Sequence, residues 1–514
     1  MQTVQHSIPP LVIPSTVTVV KFDYQPHFRI FDDSIINGPL SVSNSPSVES
    51  IDRFIVSDGI ADTVHTFSLN HKECAKTLLE NDRLYNKAYM AEKGYAIHDA
   101  IVEGIFAQLL TFPVVLERTI YYPTLLMDLC RLSLDRIPSS FARCIKMIYS
   151  RLDHMGGMDM HAITRVSEFF SQHLSNFGFG WRWSDWESVL LLDHSNEKFV
   201  FVRETLERCV RLSYYDRIKN SLPESFLQHG DIFTLHPPGP VFQYDAVKCK
   251  DLVLVKHAAE VNQLIQTRSD ESNIQQVIDA IQSHMVMIDE AAEAVSTSYR
   301  IIIQCVLLQG SKSFSHILNV FEKYVKLLQS LNETPQSRLE TVSNVCEFWK
   351  NNTQFIEIIL DKMVNYRIID ARAILVYFIS VRDEVDFSRF YQTNIIKNTV
   401  VKVNLKVQQV EAKLELKNEI VSGQMGIYLL IQDESSDATV KSLQSALDVA
   451  VREKKEALIL VFQKFVEMLA EKKHAIGGSE MMSDGENDDV NEGVRWFRHA
   501  FSAFRFVGKT VFHG

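Results

Sequence analysis

The chain has 514 residues, 46% hydrophobic and 23% charged, which suits two to four ordinary globular domains with ample core. Its formal net charge is −11. That acidic balance argues against an extended grip on nucleic-acid phosphates by this chain alone and leaves room only for a local basic groove.

Residues 1–50 are rich in Pro, Ser and β-branched side chains with weak periodicity, and they predict an extended lead-in in which only VTVVKF (17–22) alternates like a strand. Helical periodicity begins near Glu73 and continues through HDAIVEGIFAQLLTFP (98–113), PTLLMDLCRLSL (123–134), PSSFARCIKMIYSRLDHM (138–155) and MHAITRVSEFFSQHLSNF (160–177). Pro123 and Pro138 fall at helix starts, where a missing N–H costs little. WSDWESVLLLD (183–193) and EKFVFVRETLERCVRLSYYDRIKNSLP (197–223) complete a first helical unit, 51–224.

The pattern lapses in QHGDIFTLHPPGPVFQY, and residues 225–244 are expected as a Pro/Gly-rich boundary loop. A second helical unit follows over 245–475. Within it, Phe314, Ile317, Leu318, Phe321, Val325 and Leu328 share one helix face. Thr334, before Pro335, is expected to cap the next helix and Thr353 the one after. Short helices in antiparallel succession build stacked hairpins.

Val400, Val403, Val407, Val410 and Leu414 keep a 3-4-3-4 spacing, with Lys402, Lys406 and Lys413 expected outward. With a second long helix over 437–473 they predict an antiparallel coiled-coil hairpin, 397–473, projecting from the body; two ordinary packed helices are the alternative. Residues 476–493, with six acids and no base after Gly477, predict a disordered acidic linker. The last 21 residues, 494–514, form a basic-aromatic tail, or a helix whose Trp496, Phe497, Ala500, Phe501 and Phe504 share a face.

The longest apolar run, Ile301–Leu308, is broken by Gln304 and falls short of the roughly 20 residues that span a bilayer. The N-terminus lacks a basic n-region, which argues against a secretory signal. Seven scattered cysteines with no CxxC pair predict free thiols in a reducing, intracellular compartment. The chain carries no GxSxG, P-loop, GxGxxG or HExxH motif, and His65/His71 and His154/His161 lack zinc-ligand spacing. A non-enzymatic scaffold without cofactor is the expectation.

Two groups of residues are candidates for partner contact. Trp181, Trp183 and Trp186, with Phe177 and Phe179, either form an aromatic hot spot or wedge a bend between helices. Arg208 and Arg211 share a helix face beside Tyr214 and Tyr215; they either meet acidic groups or phosphates or pair with Glu204 and Glu207.

Several blocks, in order, resemble the large subunit of the nuclear cap-binding complex: FDYQPHFRIFDD (22–33), ESIDRF (49–54), QHLSNFGFGWRWSDW (172–186), FVRETLERCVRLSYYDRI (201–218), KSFSH (312–316), and Trp349 followed by Asp361, Lys362 and Met363. The resemblance implies an all-α solenoid of HEAT-like hairpins related to the middle domain of the cytoplasmic cap-binding scaffold. It implies that 51–224 and 245–475 are the family's second and third helical domains, and that its first domain and basic import segment are absent. The implied partner is a small RNA-recognition-motif subunit that holds the 7-methylguanosine cap in a heterodimer. The implied roles are nuclear: recruiting splicing, export, 3′-end processing and decay factors. A different initiation-factor-like scaffold in mRNA translation or decay is the rival reading.

Overall fold

The structure is a computed structural model that describes residues 29–31, 50–80, 92, 96–112, 115–153, 158–381, 386–421, 435–477 and 488–512. Every regular element among them is helical, as the all-α reading expects. VTVVKF (17–22) lies outside the described residues. The chain divides into two compact units, 1–148 and 149–514, and the division falls within the helix Arg136–Arg151.

In the first unit, α1 (Ile51–Thr66) starts at Ser50, whose Oγ accepts the Asp52 N–H. Its buried residues Arg53, Val56, Ile60, Thr63 and Val64 fall three or four apart on one face. Helix α2 is His71–Glu80, and α3 (Ile97–Leu109) packs on α1 so closely that a Cβ at Gly104 would lie 2.7 Å from Ile60 Cγ2. Across this contact Arg53 and Glu103 form a buried ion pair at 2.7 Å. Glu103 Oε2 also accepts the Ile30 and Phe31 N–H groups at 3.0 and 2.8 Å. The described part of the lead-in is thus docked on α3, through a carboxylate that sequence periodicity does not connect to it. Helix α4 (Tyr121–Leu132) packs on α2, where Asp128 is taken by His71, and α5 (Arg136–Arg151) begins with Pro138 in its first turn.

In the second unit, α6 (Met160–Asn176) ends in a left-handed turn: Gly178 has φ 69° and the Phe179 N–H donates to Leu174 O at 2.7 Å. A 3₁₀ segment, Trp183–Leu191, leads to α7 (Glu197–Leu212), whose N-cap Asn196 accepts the Lys198 N–H. Two short helices follow, α8 (Tyr215–Lys219) and α9 (Glu224–Leu227). The loop 225–244 sits inside this unit and is stitched to it. Val241 N donates to Phe348 O at 2.7 Å and Gln243 N to Gln304 Oε1 at 3.1 Å.

Helices α10 (Leu252–Gln266), α11 (Glu271–Met287), α12 (Ala294–Gly310), α13 (Phe314–Lys323), α14 (Val325–Leu331), α15 (Pro335–Phe348), α16 (Thr353–Asn365) and α17 (Ala371–Val376) stack around one core that includes Ile301, Phe321, Val345, Phe348 and Ile359. By length and composition alone Ala291–Gly310 could cross a bilayer. Its Ile301, Ile302, Cys305 and Val306 are instead buried in that core, so it is the central helix of the stack. The expected first helix breaks at Tyr324, which separates α13 from α14. Thr334 caps α15 in a capping box with Ser337, as expected. The third cap differs: Asn352, not Thr353, caps α16, because the Thr353 hydroxyl is drawn to Glu207.

The long helices α18 (Phe390–Val421) and α19 (Ser435–Gly477) run alongside each other, with Lys406 paired to Glu453 at 2.6 Å. Lys402, expected outward, turns back to Asp361 on α16 and donates to its carbonyl at 2.7 Å. The connection 422–434 lies outside the described residues.

The C-terminal segment is α20 (Asp488–Phe512), which begins inside the expected acidic linker. Its Trp496 meets Phe387, and Phe504 meets Phe462 and Phe465. Apolar spacing therefore prevails over the tail reading. At this end α18 and α19 belong to a three-helix packing, not to a two-stranded coil.

Candidate functional site

The residues with most chemistry gather along α7. Arg203, Glu207 and Arg211 recur every four residues and so lie on one stripe of the helix. Arg203 is only 3% exposed and donates from Nη2 to Ser388 O and Oγ at 2.8 and 3.1 Å. Burial pushes its guanidinium down to about 10. Glu207 accepts from Arg211 Nη2 at 2.6 Å and from the Thr353 hydroxyl. Burial pulls its carboxyl up, but Arg211 and Thr353 together pull harder and hold it below the usual value. Glu204, on the neighbouring stripe, is raised by burial and by Glu207.

This stripe forms one wall of an open cleft of about 530 Å³. The loop 230–238 forms a second wall, and the turn into α16, with Lys350, Asn352 and Thr353, forms a third. Arg389, just before α18, completes it. The lining carries Arg203, Arg211, Lys350 and Arg389 against Glu207 and Asp231, so a locally cationic recess sits in a chain of net charge −11. The arrangement can hold an anionic group. The Thr353 hydroxyl donates to Glu207, a carboxylate that Arg211 also holds.

Of the candidates named from sequence, two belong to this cleft. Arg211 lines it. Tyr215 shapes it, stacking on Phe233 at 5.2 Å and donating its hydroxyl to Thr234 O at 2.9 Å, which pins the loop wall. Arg208 is half-buried on the other stripe, its Nε without an acceptor. Tyr214 stands 61% exposed.

Trp183 and Trp186 lie elsewhere, in the core of the unit, with Trp181 half-buried near them. Trp183 and Trp186 are each 3% exposed. Trp186 stacks on Tyr149 at 4.3 Å, Trp181 meets Phe170 edge-on at 4.9 Å, and Trp183 meets Phe226 at 6.3 Å. The wedge between helices is what this geometry gives, and no ring face of Trp183 or Trp186 is open to a partner. Lys350, Thr353 and Arg389 are the members sequence reasoning missed. The polar KNNT run (350–353) was a signal for Lys350 and Thr353, but its distance from α7 along the chain hid the meeting, and nothing local marked Arg389.

Comparison with known proteins agrees with the residue blocks. A family model described as MIF4G like matches residues 242–505, and a second, also MIF4G like, matches 46–224. Nuclear cap-binding protein subunit 1 of Xenopus tropicalis is 30% identical over 485 residues, covering 91% of this chain and 58% of that protein. The proteins of the same name from Gallus gallus and Homo sapiens are 29% and 28% identical, over 491 and 483 residues, with the same coverage. The chain therefore spans a little over half the length of these curated relatives. With one family model spanning just over half of its residues and a second covering most of the remainder, the chain belongs to the MIF4G-like family of helical scaffolds.

Proposed function

We propose that this chain acts as the large, scaffolding subunit of a nuclear cap-binding complex. It binds and orders a small RNA-recognition-motif subunit, which holds the 7-methylguanosine cap of RNA polymerase II transcripts. The observation that carries this reading is the identity to nuclear cap-binding protein subunit 1 across 91% of the chain. The buried state of Trp183 and Trp186 supports it from the other side. A cap sandwich needs two open parallel rings, and Trp183 and Trp186 are spent on the chain's own core.

The mechanism is preorganisation. A helical stack with a continuous core presents a fixed surface, so the partner's mobile segments are ordered before RNA arrives and less entropy is lost when the cap binds. The same surface recruits splicing, export and decay factors in the nucleus. No catalytic step is assigned to the chain, and the 51–224 and 245–475 domain division belongs to this reading.

Co-purification with the small subunit, followed by titration with a fluorescent cap analogue, tests it. The expected result is tight cap binding by the pair and weak binding by either chain alone. A stable pair that binds the cap no better than the small subunit alone would overturn the ordering role.

A further inference from the structure

The cleft bordered by α7 has a charge and a shape to which the proposed function assigns no role. Of its carboxylates, Glu207 is already taken by Arg211 and Thr353. Lys350 is exposed and makes no hydrogen bond or ion pair among the described residues. Arg389 has only a loose contact, Nε to Asp386 Oδ2 at 3.9 Å. Arg203, more than nine-tenths buried at the floor, keeps an Nε with no acceptor. The N-terminus of α16, a helix of 13 residues, opens on the same space and adds its partial positive charge. The loop wall is different in kind. Leu235 is exposed there, and Pro238 stands beside it.

We propose that this cleft receives an acidic peptide segment of a partner protein, its carboxylates against Arg389 and Lys350 and an aliphatic side chain against Leu235. A protein segment fits better than RNA for two reasons. Phe233 in the lining is 4% exposed and stacked on Tyr215, which leaves His236 as the one exposed aromatic ring there, where single-strand binding stacks successive bases on several. The cationic part of the lining is a few side chains in one recess of about 530 Å³, which suits a short run of carboxylates rather than a continuing phosphate backbone. Fork-shaped guanidinium groups pair well with carboxylates, and a short apolar contact sets the register.

The inference rests on the scaffold reading in taking a protein segment as ligand. The test uses the full chain and three fluorescein-labelled probes: the peptide Glu-Asp-Leu-Glu-Asp-Leu, its Gln-Asn-Leu counterpart, and oligo-uridine of equal charge. The acidic peptide is expected to bind, and the neutral one is not. Lys350→Glu with Arg389→Gln should weaken the acidic peptide by about tenfold or more, about 1.4 kcal/mol, with an unchanged thermal midpoint. Equal binding of the neutral peptide, insensitivity to the two substitutions, or tighter binding of oligo-uridine would each overturn it. The small subunit is co-purified in parallel. Failure of the peptide with the pair intact sinks this inference alone, and loss of the pair with the peptide still bound sinks the scaffold reading alone.

Discussion

Thr353 donates its hydroxyl to Glu207, 146 residues earlier in the chain, and so joins the first turn of α16 to the last turns of α7. Arg211 reaches both partners, which makes a three-residue knot at the edge of the cleft. Such a knot does two jobs. It neutralises a half-buried carboxylate, and it holds two cleft walls in register. Removing one donor leaves Glu207 short of a partner in a partly desolvated place. Thr353→Ala should cost about 1–3 kcal/mol in urea unfolding. A double-mutant cycle with Arg211→Ala should show a coupling of about 0.5–3 kcal/mol, because the two side chains share one acceptor. Additive effects would mean the knot is incidental.

Glu357, on α16, gives a pH-dependent prediction. Burial raises its carboxyl from 4.5 to about 7, opposed by Arg211 and Arg208 and helped by Glu207 and Glu204. Its folded value lies above its unfolded one, so between those values the native state binds a proton the unfolded state has lost. Stability therefore falls as pH rises through that window, and the full penalty is present above about 7. Glu357→Gln removes the penalty. Near pH 8 the variant should be more stable by about 1–3 kcal/mol, and near pH 4 it should gain nothing. Unfolding midpoints at the two pH values decide it; a gain independent of pH would mean that desolvation is not the cause.

His499, on α20, acts in the opposite direction. Burial holds it at about 4, so it is neutral in the fold while the unfolded chain takes up a proton near 6.5. His173, at the end of α6, is lowered by burial to about 4 as well. Both therefore withdraw stability as pH falls from about 6.5 towards 4, by at most roughly 3 kcal/mol at each site. His499→Phe should flatten the acid limb of a stability-versus-pH curve. An unchanged slope would assign that limb to other groups.

Much of the fold was legible because it rests on short-range periodicity. The 3-4 spacing of Ile317 and Phe321, the Pro335 start after Thr334 and the shared face of Ala500 and Phe504 all reflect one helix burying one stripe. What failed did so where a side chain left its local role for a distant partner. Thr353 gives up the cap of α16 for Glu207, Lys402 abandons solvent for Asp361, and Glu103 captures Ile30 and Phe31. The site was half legible for the same reason. Arg211 and Tyr215 stand four residues apart, across the break between α7 and α8, and could be read together. Lys350 and Arg389 join them only through tertiary packing, which one sequence does not display.

The buried pair in the first unit gives a separate test. Arg53 and Glu103 are both shielded from water, and Glu103 also holds the lead-in backbone at Ile30 and Phe31. Removing the carboxylate takes the ion pair from Arg53 and the shared acceptor from two backbone N–H groups, so Glu103→Ala should cost about 1–3 kcal/mol. Hydrogen exchange should then speed up at Ile30 and Phe31 along with α1. Fast exchange confined to residues 29–31 would mean that Arg53 has found another acceptor.

The aromatic block and Tyr214 separate stability from recognition. Trp186 packs between Tyr149, Phe170 and Phe201, and its truncation to alanine should cost about 3–5 kcal/mol. Any partner lost by that variant is lost with the fold, and Trp186→Phe should recover most of both. Tyr214 is largely exposed, so Tyr214→Ala should change stability by no more than about 0.5 kcal/mol. If it contributes to a partner surface, capture of the small subunit or of an acidic peptide drops at an unchanged melting temperature. Equal capture at equal stability would remove Tyr214 from that surface and leave Arg211, inside the cleft, as the contact to test next.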